Sequence, residues 1–210
     1  MTPFTSITGP CIPVLEDDLN TDQIAPIQLS RELKPDYADR LFKRQRVNPD
    51  GSRVESHIFN QPRFARPAIL ISRHNFGCGS SREAAVWCLQ AVGIGCIVAR
   101  SIADIFRENC LQNGVLPVEL DDATAQALER RVIAADGNAP FTADLPGQTI
   151  SGPGGADIRF EISASDKMRL IEGLDDIGVT LKHDADIKAW EAMAAARLPW
   201  MQQARDKRRS

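Results

Sequence analysis

A glycine turn carrying two hydroxyls and a guanidinium, Gly77-Cys78-Gly79-Ser80-Ser81-Arg82-Glu83, follows the apolar run Ala68-Ile69-Leu70-Ile71. The run reads as a short buried strand. The residues after Arg82 read as a helix with Ala85, Cys88, Leu89 and Val92 on its apolar side. Gly77 and Gly79 allow backbone angles and close approaches that a side chain forbids, so first-turn N–H groups can point at a carboxylate or phosphate. The helix dipole adds partial positive charge there. The stretch therefore has the chemistry of an anion site that also holds a nucleophile or a base.

A purely structural reading competes with this one. Ser80 followed by Glu83 fits the capping box S-x-x-E, a device contributing about 0.5–2 kcal/mol to a helix. Arg82 argues the other way, because an arginine in a first turn opposes the helix dipole, and such a local conflict tends to mark function. Its fork also matches a carboxylate bidentately. Both readings of Ser80 stand at this point.

The elements that must position these groups are legible further along. Gly95-Cys96-Ile97-Val98-Ala99 reads as a second buried strand, and Ser101 with Asp104 as the cap of a helix presenting Ile102, Ile105, Phe106 and Cys110, ended by Gly114. Val115-Leu116-Pro117-Val118 reads as a third strand. A helix from about Asp121 to Ala134 follows. This alternation predicts an α/β fold with a parallel sheet covered by helices. Residues 139–162, rich in Gly, Pro, Asp and Thr between short alternating runs, read as antiparallel hairpins. Asp184 to Ala196 reads as a terminal helix docking through Ile187 and Trp190. Residues 27–62 are mostly polar and read as a long loop, a feature that inside a compact domain is usually functional.

Composition bounds the rest. The 210 residues, 43% of them hydrophobic, suffice for one domain over 1–210 with a sizeable core. A net charge of −3 points to neither nucleic acid nor an anionic membrane as partner. Residues 202–210 form a basic tail through Arg205, Lys207, Arg208 and Arg209. No apolar run approaches a membrane span and no leader precedes the first strand, so the expected location is cytoplasmic. The five cysteines, Cys11, Cys78, Cys88, Cys96 and Cys110, are an odd number without ligand spacing, and no metal site is expected in this chain. Cys88, Cys96 and Cys110 read as core. Cys78, in the glycine turn, is the one thiol whose pKa the helix terminus is expected to lower. Histidines 57, 74 and 183 form no recognisable triad with a serine and a carboxylate.

Several runs together resemble a known family. They are Asn75-Phe76-Gly77-Cys78-Gly79-Ser80-Ser81-Arg82-Glu83, Ser101-Ile102-Ala103-Asp104-Ile105-Phe106 with Asn109, Asn113-Gly114-Val115-Leu116-Pro117, Asn20-Thr21-Asp22-Gln23-Ile24, and Gly173-Leu174-Asp175-Asp176-Ile177-Gly178-Val179-Thr180-Leu181. Taken in chain order, and spread over nearly the whole chain, they resemble the small subunits of 3-isopropylmalate dehydratase. The resemblance implies the swivelling β/β/α domain of the aconitase superfamily, here a separate chain joined to a large subunit that holds a [4Fe–4S] cluster. It implies that Ser80 is the base that takes a proton from the substrate carbon, with Arg82 holding a carboxylate. Ser81 and Gly79 line the same site, and Asp22 orients a neighbouring basic group; an Asx turn is the alternative role for Asp22. The family commonly has histidine after the motif's glutamate, where this chain has Ala84. That departure leaves the reaction class standing and the substrate less fixed.

The expected substrate is a hydroxy dicarboxylate, and its variable group is expected to meet the loop over 27–62. Ile27 and Leu29 suit a branched alkyl group, whereas Arg31 and Lys34 suit a further carboxylate. Three functions follow from different classes: the dehydratase subunit, a related hydro-lyase subunit acting on homocitrate, citraconate or a dimethylmalate, and a non-catalytic anion-binding partner.

Overall fold

The computed structural model describes residues 1–26, 35–198 and Trp200. They fall into two compact units, residues 1–173 and 174 onward. The first unit is built on seven strands: β1 Ser6–Pro13, β2 Ile69–Ile71, β3 Cys96–Ala99, β4 Leu116–Glu119, β5 Pro140–Asp144, β6 Thr149–Ser151 and β7 Ile158–Arg159. Their order in the sheet is β4-β3-β2-β1-β5-β6-β7. The strands β1 to β4 run parallel, and β5 to β7 continue the sheet as the antiparallel hairpins expected for residues 139–162.

Strand β1 joins the two halves. Its residues Ser6 to Pro10 pair antiparallel with β5, and Cys11 to Pro13 pair parallel with β2. Two prolines and a glycine hide this strand from pattern reading, since proline cannot donate to a ladder. Here Pro10 stands at the changeover, opposite Pro140, and its carbonyl still accepts from the Ala68 N–H at 2.9 Å.

Helices cover both faces of the parallel part, so its strands are apolar on both sides. Ile12, Leu70, Ile97 and Ala99 pack with Val86 and Leu89 of α4 (Glu83–Ala91) and Phe106 and Cys110 of α5 (Asp104–Asn113). Cys11, Ile69, Ile71, Cys96 and Val98 face the other way, against Ala125, Leu128 and Val132 of α6 (Asp122–Ala135). Cys88, Cys96 and Cys110 are buried, as their periodicity predicts. Burial holds the Cys88 thiol up at about 11, and it raises Cys96 and Cys110 further.

The described part of the segment expected as a long loop carries short regular elements. Two short helices, α2 Tyr37–Arg40 and α3 Lys43–Arg46, and 3-10 turns at Ile58–Asn60 and Pro62–Phe64 occupy it. Leu41 and Phe42 between the helices are completely buried. Asn60 ties the segment together, donating to the carbonyls of Arg46 and Val54 at 2.8 and 2.9 Å. Two apolar residues in a polar stretch are too few to show a period, which is why the pattern does not reveal them.

A helix not anticipated from sequence, Ala164–Glu172, closes the first unit; Ser163 caps it and Gly173 ends it in the left-handed region. The second unit holds helices Asp176–Leu181 and Asp184–Arg197. In the second of these helices Ile187 and Trp190 are 38% and 56% exposed. No described helix is long and apolar enough to cross a membrane.

Candidate functional site

Loops from three elements meet beyond the carboxyl end of β2, where ligands bind in open α/β sheets. The glycine turn is stitched between two of them. On one side the Gly77 N–H donates to the Leu19 carbonyl at 2.8 Å, and the Thr21 N–H to the Cys78 carbonyl at 2.9 Å. On the other, the Phe76 N–H donates to the Ser101 carbonyl and the Ala103 N–H returns a bond to Phe76. Gly77 has φ +76°, and a Cβ there would lie 2.2 Å from Cγ of Phe106. Only glycine fits that position. Gly79, at φ +91°, is exposed at the front of the turn.

Ser80 is presented by this frame. Its carbonyl accepts from the buried Thr21 hydroxyl at 2.9 Å and from the Arg82 N–H at 2.7 Å. Its side chain is exposed, and its Oγ has no hydrogen-bond partner among the described residues. The capping-box reading of Ser80 does not hold. Helix α4 begins at Glu83 with Arg82 at the cap position, no side chain caps it, and Glu83 accepts instead from Nδ2 of Asn113 at 2.9 Å. Trp87 Nε1 also donates to Asn113, at 2.9 Å to its Oδ1, so α4 is anchored on the end of α5. The cap predicted at Ser101 is likewise absent: α5 follows Ala103 without a side-chain cap, and Ser101 Oγ accepts from the Asn75 N–H at 2.8 Å. Both serines serve the turn rather than a helix end.

Asp22 and Arg82 meet. The guanidinium donates to the Asp22 carboxylate, forming an ion pair whose arginine side chain is 22% exposed and whose aspartate is 51% exposed. Asp22 sits in the first turn of the short helix α1 (Thr21–Ile24), whose capping box consists of Asn20 and Gln23. That box, N-x-x-Q, is the local signal by which the sequence marks this helix. It fixes Thr21 and Asp22, and through them Ser80 and Arg82. Ser81 is exposed between those two. Ile27, Leu29, Arg31 and Lys34 lie outside the described residues.

The strand ends beside the turn are pinned by charge. Arg73, after β2, and Arg100, after β3, both grip the buried carboxylate of Glu129 on α6, at 3.6 and 3.0 Å. Cys78 departs from the expected activated thiol. Desolvation and the nearby Asp18 carboxylate push its pKa up, and its Sγ donates to the Asp18 carbonyl at 3.3 Å. Among the described residues no three His, Cys, Asp or Glu side chains are grouped to hold a metal ion.

Comparison with known proteins separates the functional classes. The family model described as the Aconitase C-terminal domain matches residues 1–123, and that of the C-terminal domain of the 3-isopropylmalate dehydratase small subunit matches residues 176–204. A 3-isopropylmalate dehydratase small subunit of Dinoroseobacter shibae is 42% identical over 202 residues, covering 96% of this chain and all of that one. The chain belongs to the 3-isopropylmalate dehydratase small-subunit family. A small subunit of the same name from Rhodopseudomonas palustris is also 42% identical, over 95% of this chain and the whole of its own length. The crystal structure of 3-isopropylmalate dehydratase from Methanocaldococcus jannaschii, 22% identical, superposes with a TM-score of 0.59 over 89% of this chain and 99% of its own. That likeness supports the fold, the swivelling domain with parallel and antiparallel strands in one sheet. Membership implies a large-subunit partner.

Proposed function

We propose that Ser80 and Arg82 are the working groups this chain brings to the family's reaction, with Asp22 holding Arg82 in place. The chain is the small subunit of a 3-isopropylmalate dehydratase, a hydro-lyase of leucine biosynthesis. The observation that carries the assignment of roles is the exposed, unbonded Ser80 Oγ two residues from a guanidinium that a carboxylate already occupies.

Interconverting 2- and 3-isopropylmalate requires loss of water and its return with the hydroxyl on the neighbouring carbon. Loss of water takes a proton from the carbon next to the one bearing the hydroxyl. Ser80 takes that proton and returns it on rehydration. A serine hydroxyl is a base only if its alkoxide is stabilised, and the α4 N-terminus beginning at Glu83 together with Arg82 supplies the positive field. Arg82 receives a substrate carboxylate on its fork, since the pair with Asp22 leaves other donors of its five free. Ser81 offers a backbone N–H or hydroxyl beside it, and Gly79 keeps the turn bare so the substrate can approach. We place the [4Fe–4S] cluster on the large subunit, and none of these roles requires a ligand to it from this chain.

Leu29 and Arg31 are proposed to discriminate among substrates, Leu29 through an alkyl group and Arg31 through a further carboxylate. The choice separates isopropylmalate from the tricarboxylates of related hydro-lyases. The test of the function is reconstitution. The chain alone is expected to be inactive, and mixing with an anaerobically prepared large subunit is expected to restore turnover of isopropylmalate at the absorbance of the unsaturated intermediate. Turnover by the chain alone overturns the reading.

A further inference from the structure

Helix α4, which begins where the chemistry is proposed to sit, is tied to one residue of its neighbour. Asn113 is the last residue of α5, and its side-chain amide donates to Oε1 of Glu83 at 2.9 Å and to the Asn109 carbonyl at 2.8 Å. Its Oδ1 accepts from Trp87 Nε1 at 2.9 Å, and its backbone carbonyl accepts from Nε2 of Gln90 at 2.7 Å. Glu83, Trp87 and Gln90 recur at helical spacing, so they share one face of α4.

Glu83 is the acidic residue of the first turn of α4. A glutamate there ordinarily turns back on its own helix, where it satisfies an N-terminal N–H and neutralises part of the positive end of the dipole. Here, among the described residues, its carboxylate bonds to Asn113 instead, and the N–H groups of Glu83 and Ala84 donate to nothing. The other acids at this end are already engaged. Asp22 is paired with Arg82, and the Asp18 carboxylate accepts from Nδ2 of Asn75 at 2.7 Å.

We propose that Asn113 is a positioning residue for proton transfer at Ser80: by holding the Glu83 carboxylate against α5, it leaves the positive end of α4 to the serine alkoxide. This rests on the assignment of Ser80 as the base. A carboxylate returned to that end would compete for the same N–H groups and oppose the alkoxide by like charge, so the alkoxide would form less readily. The bond from Trp87 needs only an acceptor at 113, which an aspartate also supplies. The donor toward Glu83 is what demands the amide.

The test is Asn113→Asp in the full chain reconstituted with the large subunit. Aspartate has nearly the same shape and still accepts from Trp87, but it loses the donor and sets a like charge against Glu83. The expected result is a kcat lowered about tenfold or more, with the acid limb of its pH profile moved up by about one unit, the same factor expressed in pH. Adding Glu83→Gln remakes an amide–carboxylate bond with its polarity reversed and takes the charge out of the first turn, so rate and profile are expected to return to within a few-fold of wild type. Gln90→Ala removes a bond of the same seam without touching the charge, and is expected to lower the melting temperature while the profile of the folded enzyme stays in place. Asn113→Ser frees Glu83 without adding a charge, and carries the same test with a smaller shift should the aspartate variant fail to fold. A lowered kcat with an unmoved profile, or one that Glu83→Gln does not relieve, reduces Asn113 to an anchor of α4 and overturns the inference. So does an unchanged kcat in Asn113→Asp. Full turnover by Ser80→Ala overturns the Ser80 assignment itself, whatever the Asn113 variants do.

Discussion

Asp22 and Arg82, sixty residues apart in the chain, are joined carboxylate to guanidinium at the front of the glycine turn. On the roles proposed above, the pair pre-sets the Arg82 fork for a substrate carboxylate. Holding a group in its productive orientation before substrate arrives is worth far more than the ion pair itself, which at half exposure contributes little to stability. Asp22→Asn is therefore expected to lower kcat/KM about tenfold or more through a raised KM, with the melting temperature almost unchanged. Steady-state kinetics on the reconstituted enzyme check this. A lowered KM would show instead that Asp22 merely competes with substrate for Arg82.

Gly77→Ala is expected to damage folding before chemistry. The new methyl group would sit 2.2 Å from Phe106, at a backbone φ of +76° that alanine avoids. Strain and overpacking together place the loss at roughly 2–4 kcal/mol, measured by urea unfolding. Phe106→Ala in the same chain is not expected to restore it, because the Cβ that remains at 106 still lies 2.7 Å from the new methyl, the φ strain stays and a core cavity is added.

Much of this frame is legible in the sequence alone. The buried strands Ile69–Ile71 and Cys96–Ala99 announce themselves as short apolar runs, and Gly114 ends its helix where its type predicts. The residues proposed to do the chemistry, Ser80 and Arg82, stand in one short run of the sequence. Their helix geometry is not legible there. The spacing Ser80 to Glu83 is that of a capping box, but Thr21 binds the Ser80 carbonyl and Asn113 takes Glu83, two contacts made by residues 59 and 30 positions away. Local spacing cannot weigh such partners. Strand β1 is hidden for the same reason, since its prolines are tolerated only because the ladder changes direction there.

Cys78 should react slowly. It is the only cysteine that is not buried, yet desolvation and Asp18 raise its pKa. Since the thiolate is the nucleophile, alkylation by iodoacetamide near pH 7 is expected to be slower than that of a free thiol, accelerating above about pH 9. Mass spectrometry of the labelled chain measures it. Rapid labelling at pH 7 would restore the activated-thiol expectation.

His57 makes stability depend on pH. Burial, and then the Arg46 charge, lower its pKa below the ordinary 6.5. The folded chain thus binds fewer protons than the unfolded one between the lowered value and 6.5, so stability rises with pH across that window and is lost as pH falls through it. Unfolding midpoints in urea measured from pH 7 down to pH 5 are expected to fall, and those of His57→Gln to fall less steeply. Identical slopes would remove His57 from the account.

The most direct test of the central assignment is Ser80→Ala in the reconstituted heteromer. Ser80 caps no helix, so the variant is expected to melt with the wild type and to bind the large subunit equally well. Its turnover of isopropylmalate is expected to fall by roughly 10²–10⁴-fold or more, the range for loss of a general base. Turnover within a few-fold of wild type, at matched occupancy of the large subunit, would contradict the assignment of Ser80 as the proton-transfer group.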